Sequence, residues 1–116
     1  MINPYIHIPY HKIEKYIYFL KENRVNLEIY FASDDLERIN DSDILELKER
    51  LDYHPSLNIH APFMDLSPGA VDSKVRAVTI QRFLQVFDVA NMLKPEVVVF
   101  HSGYEKWKYA QRIDIW

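Results

Sequence analysis

The sequence contains no cysteine, only two glycines and no long hydrophobic run. The lack of cysteine excludes disulfides, cysteine-ligated zinc, iron–sulfur clusters and a cysteine nucleophile. No apolar run approaches the roughly 18–20 residues that span a membrane, and the N-terminus lacks a charged and then apolar signal segment. We therefore expect a cytoplasmic protein with no membrane partner.

Charge of either sign is not in large excess. The 116 residues include 14 basic and 17 acidic side chains, for a formal net charge of −3. This balance argues against broad nucleic-acid binding through the phosphate backbone. Because 48% of the residues are hydrophobic and 27% are charged, the composition is typical of one soluble globular domain. We expect that domain to cover residues 1–116.

Short β-rich runs alternate with helical patterns along the chain. Strands are predicted over residues 5–8, 26–31, 57–60 and 96–101. Helices are predicted over residues 12–23, after the Asp41-Ser42-Asp43 cluster, from Asp72 until Pro95, and from Glu105 onward. Strands separated by helices pair in parallel through right-handed crossovers. The sequence therefore predicts an α/β fold in the order β-α-β-α-β-α-β-α.

Two features of the helices and loops give more specific expectations. The third helix has Asp72 as its predicted N-cap and an apolar stripe that we expect to face the core. The stripe consists of Ala77, Ile80, Leu84, Phe87 and Ala90. Gly69 and Gly103 both lie just after a predicted strand, where we expect them to supply special backbone geometry.

Alternation of side chains along the strands collects polar groups on one face of the sheet. The other face is uniformly apolar and suited to packing against helices. In an open sheet the polar face could simply be solvated, whereas in a closed parallel barrel polar residues at the carboxyl ends of strands form the active site. We favour the barrel. The polar set is His7, Glu28, Tyr30, Asn58, His60 and His101.

Two of these residues are candidate metal ligands. His60 and His101 end neighbouring strands, so their backbones are expected about 5 Å apart. Neutral imidazole suits zinc, manganese and iron. The alternative is that each ring caps a backbone carbonyl or a loop. Glu28 is costly to bury without a partner, and a metal, a cationic substrate group, a nearby histidine or a solvated face would each account for it. His11 is expected at the surface.

Three segments resemble the xylose isomerase-like TIM-barrel superfamily. They are His60-Ala61-Pro62-Phe63-Met64-Asp65-Leu66, the long helix starting near Asp72, and Val97-Val98-Val99-Phe100-His101-Ser102-Gly103. That superfamily contains sugar and sugar-phosphate isomerases and epimerases, and the endonuclease IV family. Because a complete barrel needs roughly 250 residues, the resemblance implies a parallel (βα)4 N-terminal half of a TIM barrel, truncated in its fourth helix.

The resemblance also implies a site. In the endonuclease IV branch the histidines after strands three and four bind a catalytic divalent metal, which makes His60 and His101 the expected ligands of Zn, Mn or Mg. His7, Glu28, Tyr30 and Asn58 are then expected to contact substrate. The remaining ligands and the principal catalytic carboxylates of the family belong to strands five to eight, so no catalytic residue is named here.

Between the branches we favour the isomerases and epimerases. The glycine-rich first loop of endonuclease IV is missing, and the second strand looks more like the isomerase branch. We expect the N-terminal part of a metal-dependent sugar or sugar-phosphate isomerase/epimerase-like enzyme, inactive by itself and able to self-associate through its exposed sheet edges. The alternatives are an endonuclease IV-like metal-dependent phosphodiesterase and a non-catalytic βα binding domain.

Overall fold

A four-stranded parallel sheet forms the centre of the protein, as seen in a computed structural model that describes residues 3–116. The strands lie in the order β1-β2-β3-β4 and each is parallel to its neighbour. Their bounds are Tyr5–Pro9 for β1, Asn26–Tyr30 for β2, Leu57–His60 for β3 and Val97–Val99 for β4. The sheet is open, with β1 and β4 at its edges.

Helices alternate with the strands, which confirms the predicted α/β fold. A 3₁₀ turn at Tyr10–Lys12 leads into α1, and α2 and α3 both lie between β2 and β3. The bounds are Ile13–Glu22 for α1, Ser33–Arg38 for α2, Asp41–Arg50 for α3 and Ser73–Leu93 for α4. The short helix α2 was not predicted, because six residues give too little apolar periodicity to recognise.

The helix starts follow from local hydrogen bonds. Asn40, rather than the predicted Asp41-Ser42-Asp43 cluster, is the N-cap of α3: its Oδ1 accepts from the backbone N–H of Asp43 at 3.0 Å. The Asp43 carboxylate accepts in return from the backbone N–H of Asn40 at 2.9 Å, which completes a capping box. Asp72 caps α4 as predicted, accepting from the backbone N–H of Lys74 at 2.8 Å.

The core lies between one face of the sheet and the helices. Leu27, Ile29, Phe31 and Ile59 are completely buried there, as the alternation of side chains predicted. Ile6 was assigned to the same face but is 43% exposed. Ile6 lies on β1, an edge strand that pairs with a neighbour on one side only.

The rotation of α4 differs from the prediction. The predicted core stripe is largely exposed, with Ile80 at 48%, Leu84 at 57% and Phe87 at 48%. The residues that α4 buries instead are Thr79, Val86, Val89 and Leu93. The helix carries two apolar stripes, and apolar spacing alone could not identify the one that faces the sheet.

The segment after β4 also differs from the prediction. Residues 105–116 form turns rather than a fourth helix, and Ala110 and Gln111 have positive φ angles of 48° and 62°. Such angles belong to the left-handed region and interrupt a right-handed helix. The strand β4 ends at Val99, so His101 lies two residues beyond it rather than within it.

A side-chain hydrogen bond links the two edge strands of the sheet. The hydroxyl of Tyr5 on β1 donates a hydrogen bond of 3.0 Å to the carboxylate of Glu96, directly before β4. Three strand spacings, about 14 Å along the sheet, separate these edge strands. The contact between the two side chains fits a sheet that curls toward its polar face, and an open four-stranded parallel sheet of this kind fits a half barrel. Within residues 3–116 no helix is long and apolar enough to cross a membrane.

Candidate functional site

Strand register brings the predicted polar residues together on the concave face of the sheet. His7 is the Cα partner of Glu28, and Glu28 is the partner of Asn58. Tyr30 is the partner of His60. Because partners in a parallel sheet project to the same side, these side chains share one face. The grouping predicted from side-chain alternation is therefore correct.

His60 and His101 meet at the carboxyl end of this face. Their Nε2 atoms lie 3.0 Å apart and their ring centroids 4.9 Å apart. The backbone arrangement differs from the prediction, since the partner of His60 in the sheet is Val99. His101 lies two residues after Val99. Its side chain is on the same face of the sheet as that of Val99, and it contacts the ring of His60.

The backbone selects the tautomer of His60. Its Nδ1 lies 2.8 Å from the carbonyl oxygen of Ala61, which can only accept a hydrogen bond. Nδ1 therefore carries the proton, and in the neutral ring the Nε2 atom presents a lone pair toward His101. A carbonyl that holds the opposite nitrogen in this way is the usual support of a metal-binding imidazole.

The surroundings of His60 favour the neutral ring. Burial lowers the pKa of the His60 imidazole below its ordinary value, and the hydrogen bond to the Ala61 carbonyl partly opposes this effect. His101 lowers the pKa further, Glu28 raises it, and His7 lowers it. The net direction is downward, so His60 keeps the lone pair that a metal ion or a hydrogen-bond donor requires.

His7 and Glu28 form a second pair beside the histidines. Nδ1 of His7 lies 3.0 Å from Oε2 of Glu28. The His7 side chain is 51% exposed and the Glu28 side chain 24%. The contact with His7 supplies the partner that the partly buried carboxylate of Glu28 needs. A nearby histidine was one of the partners expected from the sequence. The Glu28 carboxylate accepts from Nδ1 of His7, which leaves Nε2 of a neutral His7 as an acceptor.

Aromatic rings join the two pairs into one cluster. Tyr30 stacks on His7 with centroids 5.9 Å apart and meets His60 edge-on at 5.4 Å. Burial raises the pKa of the Tyr30 hydroxyl, and the charge of Asp35 raises it further. Phe63 stacks on His101 at 4.6 Å with an interplanar angle of 21°. Phe63 was not predicted as a site residue, although its place just after His60 at a strand end was the available signal.

Asn58 presents an unused acceptor on the same face. Its Oδ1 is buried and finds no hydrogen-bond partner among residues 3–116. A buried acceptor without a partner costs roughly 1–3 kcal/mol. A ligand hydroxyl or amine at the concave face would satisfy it, which fits the predicted substrate contact. His11, expected at the surface, is exposed and lies 3.9 Å from Asp35.

Two imidazoles of the site are candidate donors to a metal ion. His60 and His101 direct two nitrogens to one place, but catalytic zinc sites normally use three protein ligands. No group of three or more His, Cys, Asp or Glu side chains in the described part of the chain is arranged to hold a metal ion. The two imidazoles fit a divalent metal as members of a larger ligand set.

Comparisons with known proteins give a relative in sequence and a relative in structure. No family model matches the chain. The uncharacterized protein MJ1311 of Methanocaldococcus jannaschii is 38% identical over 66 residues, which are 55% of this chain and 22% of that protein. A solved structure of the TTHB071 protein from Thermus thermophilus, soaked with ZnCl2, matches with a TM-score of 0.81. It is 24% identical, and the match covers 98% of this chain and 47% of the Thermus chain. This chain therefore spans less than half of either protein, and the structural likeness is evidence for the fold alone.

Proposed function

We propose that this chain is the N-terminal half of a divalent-metal-dependent barrel enzyme that isomerises or epimerises a sugar or sugar phosphate. His60 and His101 are the ligands that this half contributes to the metal. His7, Glu28, Tyr30 and Asn58 contact the substrate beside it. The remaining ligands and the catalytic carboxylates belong to a second half, so this chain by itself is inactive.

The observation that carries the proposal is the convergence of two imidazole nitrogens at a strand end. Two nitrogens bound to one tetrahedral zinc at 2.0–2.1 Å lie about 3.3 Å from each other. The Nε2 atoms of His60 and His101 are 3.0 Å apart, so a small rotation of either ring admits the ion. Further support comes from the Ala61 carbonyl, which fixes the tautomer of His60 that a metal ion needs.

The neighbouring groups suit a polyhydroxylated substrate. His60 and His101 would hold the divalent metal, which would supply Lewis-acid polarisation of a substrate carbonyl. The free acceptor of Asn58 and the His7–Glu28 pair offer hydrogen bonds to hydroxyl groups. The rings of Tyr30 and Phe63 lie 5.9 Å apart and border the same space.

The 3.0 Å contact also supports a second candidate, a non-catalytic βα binding domain. Two neutral imidazoles joined by one N–H···N hydrogen bond have the same separation. In that case the histidine pair would be structural and the concave face would bind a partner. For either candidate we propose a cytoplasmic location, which is compatible with a chain that contains no cysteine.

Metal titration separates the two candidates. Isothermal titration calorimetry would be performed on the 116-residue chain with ZnCl2 and, separately, MnCl2. Zinc is the first choice because the structurally similar Thermus protein was soaked with ZnCl2. We expect about one ion per chain, with an affinity at least roughly tenfold lower in His60→Ala and in His101→Ala.

The matched control is His11→Ala, which removes an exposed imidazole outside the cluster and is expected to leave metal binding unchanged. Equal affinity in the native chain and in the His60→Ala, His101→Ala double variant would contradict the metal site and favour the structural histidine pair.

A further inference from the structure

The two candidate ligands differ in how their rings are held. Nδ1 of His60 lies 2.8 Å from the Ala61 carbonyl oxygen, so the main chain fixes both the tautomer and the orientation of this ring. His101 is exposed and lies in the loop after β4. Within residues 3–116 its imidazole makes a hydrogen-bonding contact with His60 alone. One contact at a single ring atom leaves the rotation of the ring undetermined, so a second contact is needed to fix it.

The side chain of Phe63 supplies a second contact to His101. Its ring is stacked on the imidazole, with the centroids 4.6 Å apart and an interplanar angle of 21°. This arrangement is within the preferred range for aromatic pairs, whose centroids lie about 4.5–7 Å apart. Rotation of the imidazole would bring its edge against the phenyl ring, so the stack restricts that rotation. The same phenyl ring meets His60 edge-on at 5.6 Å and therefore contacts both histidines.

The main chain holds Phe63 firmly in this place. Ala61 and Pro62, which precede it, are completely buried. The N–H of Ala61 donates to the Val99 carbonyl at 2.9 Å, so the connection to β4 continues beyond the end of β3. Pro62 has a restricted φ angle. The carbonyl of Phe63 accepts from the N–H of Leu66 at 3.2 Å. The phenyl ring is therefore placed by a well-supported backbone at the ends of two strands.

The contacts of Phe63 belong to the site rather than to the core. Within residues 3–116 Phe63 is not among the residues that form the core or pack against it. It is half-buried, and its aromatic neighbours in the same part of the chain are His60, His101 and Tyr30. All of these neighbours belong to the polar cluster. The packing of the helices on the sheet therefore does not depend on an aromatic side chain at this position.

We propose that Phe63 is a positioning residue, whose ring holds the imidazole of His101 so that its Nε2 is directed toward Nε2 of His60. The consequence for metal binding rests on the proposed function, in which the two nitrogens hold one ion. Phe63 acts through His101 and makes no bond to the ion. Without the phenyl ring, the exposed His101 side chain samples other χ1 rotamers. The apparent affinity for the metal then falls with the fraction of chains in which His101 has the binding orientation.

Zinc affinity measures this effect on the 116-residue chain, by isothermal titration calorimetry with ZnCl2. We expect Phe63→Leu to keep the stoichiometry of the native chain and to bind zinc about 2- to 10-fold more weakly, which is the range that one aromatic pair contributes. Phe63→Tyr keeps the ring and should keep the native affinity. The matched control is Phe87→Leu, the same change at a phenyl ring on α4 that is 48% exposed, and it should bind zinc as the native chain does.

The orientation of His101 is measured separately on the metal-free chain, from the three-bond NMR couplings that report its χ1 angle. We expect a single rotamer in the native chain and in Phe63→Tyr, and averaged couplings in Phe63→Leu. The free energy of unfolding of Phe63→Leu should be no lower than that of Phe87→Leu. A merely structural role would give the opposite result, with reduced stability in Phe63→Leu and unchanged His101 couplings.

The two measurements distinguish a failure of this inference from a failure of the proposed function. A native chain that binds no zinc would contradict the metal site, and the His101 couplings would then decide the role of Phe63 by themselves. Averaged couplings in the native chain, which need no variant to observe, would overturn that role. Equal zinc affinity in the native chain and in Phe63→Leu would also overturn it, while the metal site would stand.

Discussion

The Nε2 atoms of His60 and His101 lie 3.0 Å apart, so only one of them can carry a proton. Since Nδ1 of His60 already donates to the Ala61 carbonyl, the neutral His60 ring accepts and the His101 ring donates. Protonation of His60 would set two N–H groups against each other. The hydrogen bond between His60 and His101 therefore depends on pH. This holds whether or not a metal ion can replace the proton between the two Nε2 atoms.

The first prediction concerns the pKa of His60. Burial is the main cause that lowers it, and His101 contributes as well. We expect the His60 imidazole to titrate below 6.5, the ordinary value for histidine. In His101→Ala its pKa should rise toward that value, because the lowering effect of His101 is removed and the ring becomes more accessible to water. The measurement is the pH dependence of the His60 Cε1–H resonance by NMR.

His11→Ala serves as the control for this titration, since His11 lies outside the cluster and its removal should not change the His60 curve. A native His60 that titrates at or above about 6.5 would show that water or an unrecognised anion reaches the ring, and the assigned effect of burial on its pKa would be wrong.

The second prediction links this pKa to stability. Because the pKa of His60 is lower in the native chain than in the unfolded chain, the unfolded chain binds more protons at any pH between the two values. The contribution of His60 to the free energy of unfolding is therefore complete above about pH 6.5. It decreases as the pH falls below that value and stops decreasing once the pH is below the native pKa of the ring.

Urea unfolding between about pH 7.5 and about pH 5 would measure this dependence. His60→Gln keeps a polar side chain that does not titrate, so its unfolding free energy should change less over that interval than that of the native chain. If the unfolding free energies of the two proteins changed equally with pH, the assignment of the pH dependence to His60 would be contradicted.

The strands and the polar face could be predicted because they depend on local rules. Alternation along β2 and β3 follows directly from strand geometry, so the assignment of Glu28, Tyr30, Asn58 and His60 to one face needed no tertiary information. The His60–His101 contact followed because parallel strands bring their carboxyl ends to one edge. The loss of strand pairing after Val99 was not predictable, since the apolar run through Phe100 satisfies strand preferences equally well.

The rotation of α4 required tertiary information. Its apolar residues form two stripes of similar quality, and the choice between Val86 and Phe87 as the inward residue depends on the sheet and helices beneath it. The turns after Glu105 were missed for a similar reason. The buried hydroxyl of Ser67 lies 3.3 Å from the Tyr109 hydroxyl and accepts from the Trp116 indole at 3.2 Å. These long-range contacts oppose the local helical pattern.

The third prediction tests the position of the core. Leu47 and Leu45 lie two residues apart on α3, but Leu47 is 4% exposed and Leu45 is 52% exposed. Leu47→Ala removes buried methyl groups and leaves a cavity, so we expect a loss of about 2–5 kcal/mol in the free energy of unfolding. The matched Leu45→Ala should change it by no more than about 0.5 kcal/mol. Urea denaturation of the two variants gives both values, and equal losses would show that α3 is rotated relative to the core.

The fourth prediction concerns Gly103, whose φ angle of +73° lies in the left-handed region that favours glycine. A Cβ atom at this position would meet the Cα of Ser67 at 2.8 Å and the carbonyl oxygen of Leu66 at 2.9 Å. Both contacts are with the main chain, which cannot move aside as a flexible side chain would. We therefore expect Gly103→Ala to lower the free energy of unfolding by about 1–3 kcal/mol.

Tryptophan fluorescence adds a local measurement to the unfolding curve of Gly103→Ala. Displacement of Ser67 would release the Trp116 indole from its hydrogen bond to the Ser67 hydroxyl and shift the emission toward that of exposed tryptophan. The control is Lys94→Gly, because Lys94 has a comparable φ angle of +53° at the end of α4 and should tolerate glycine without loss of stability. If Gly103→Ala matched the native chain in both stability and emission, the close approach of the loop after β4 to the Leu66–Ser67 backbone would have to be abandoned.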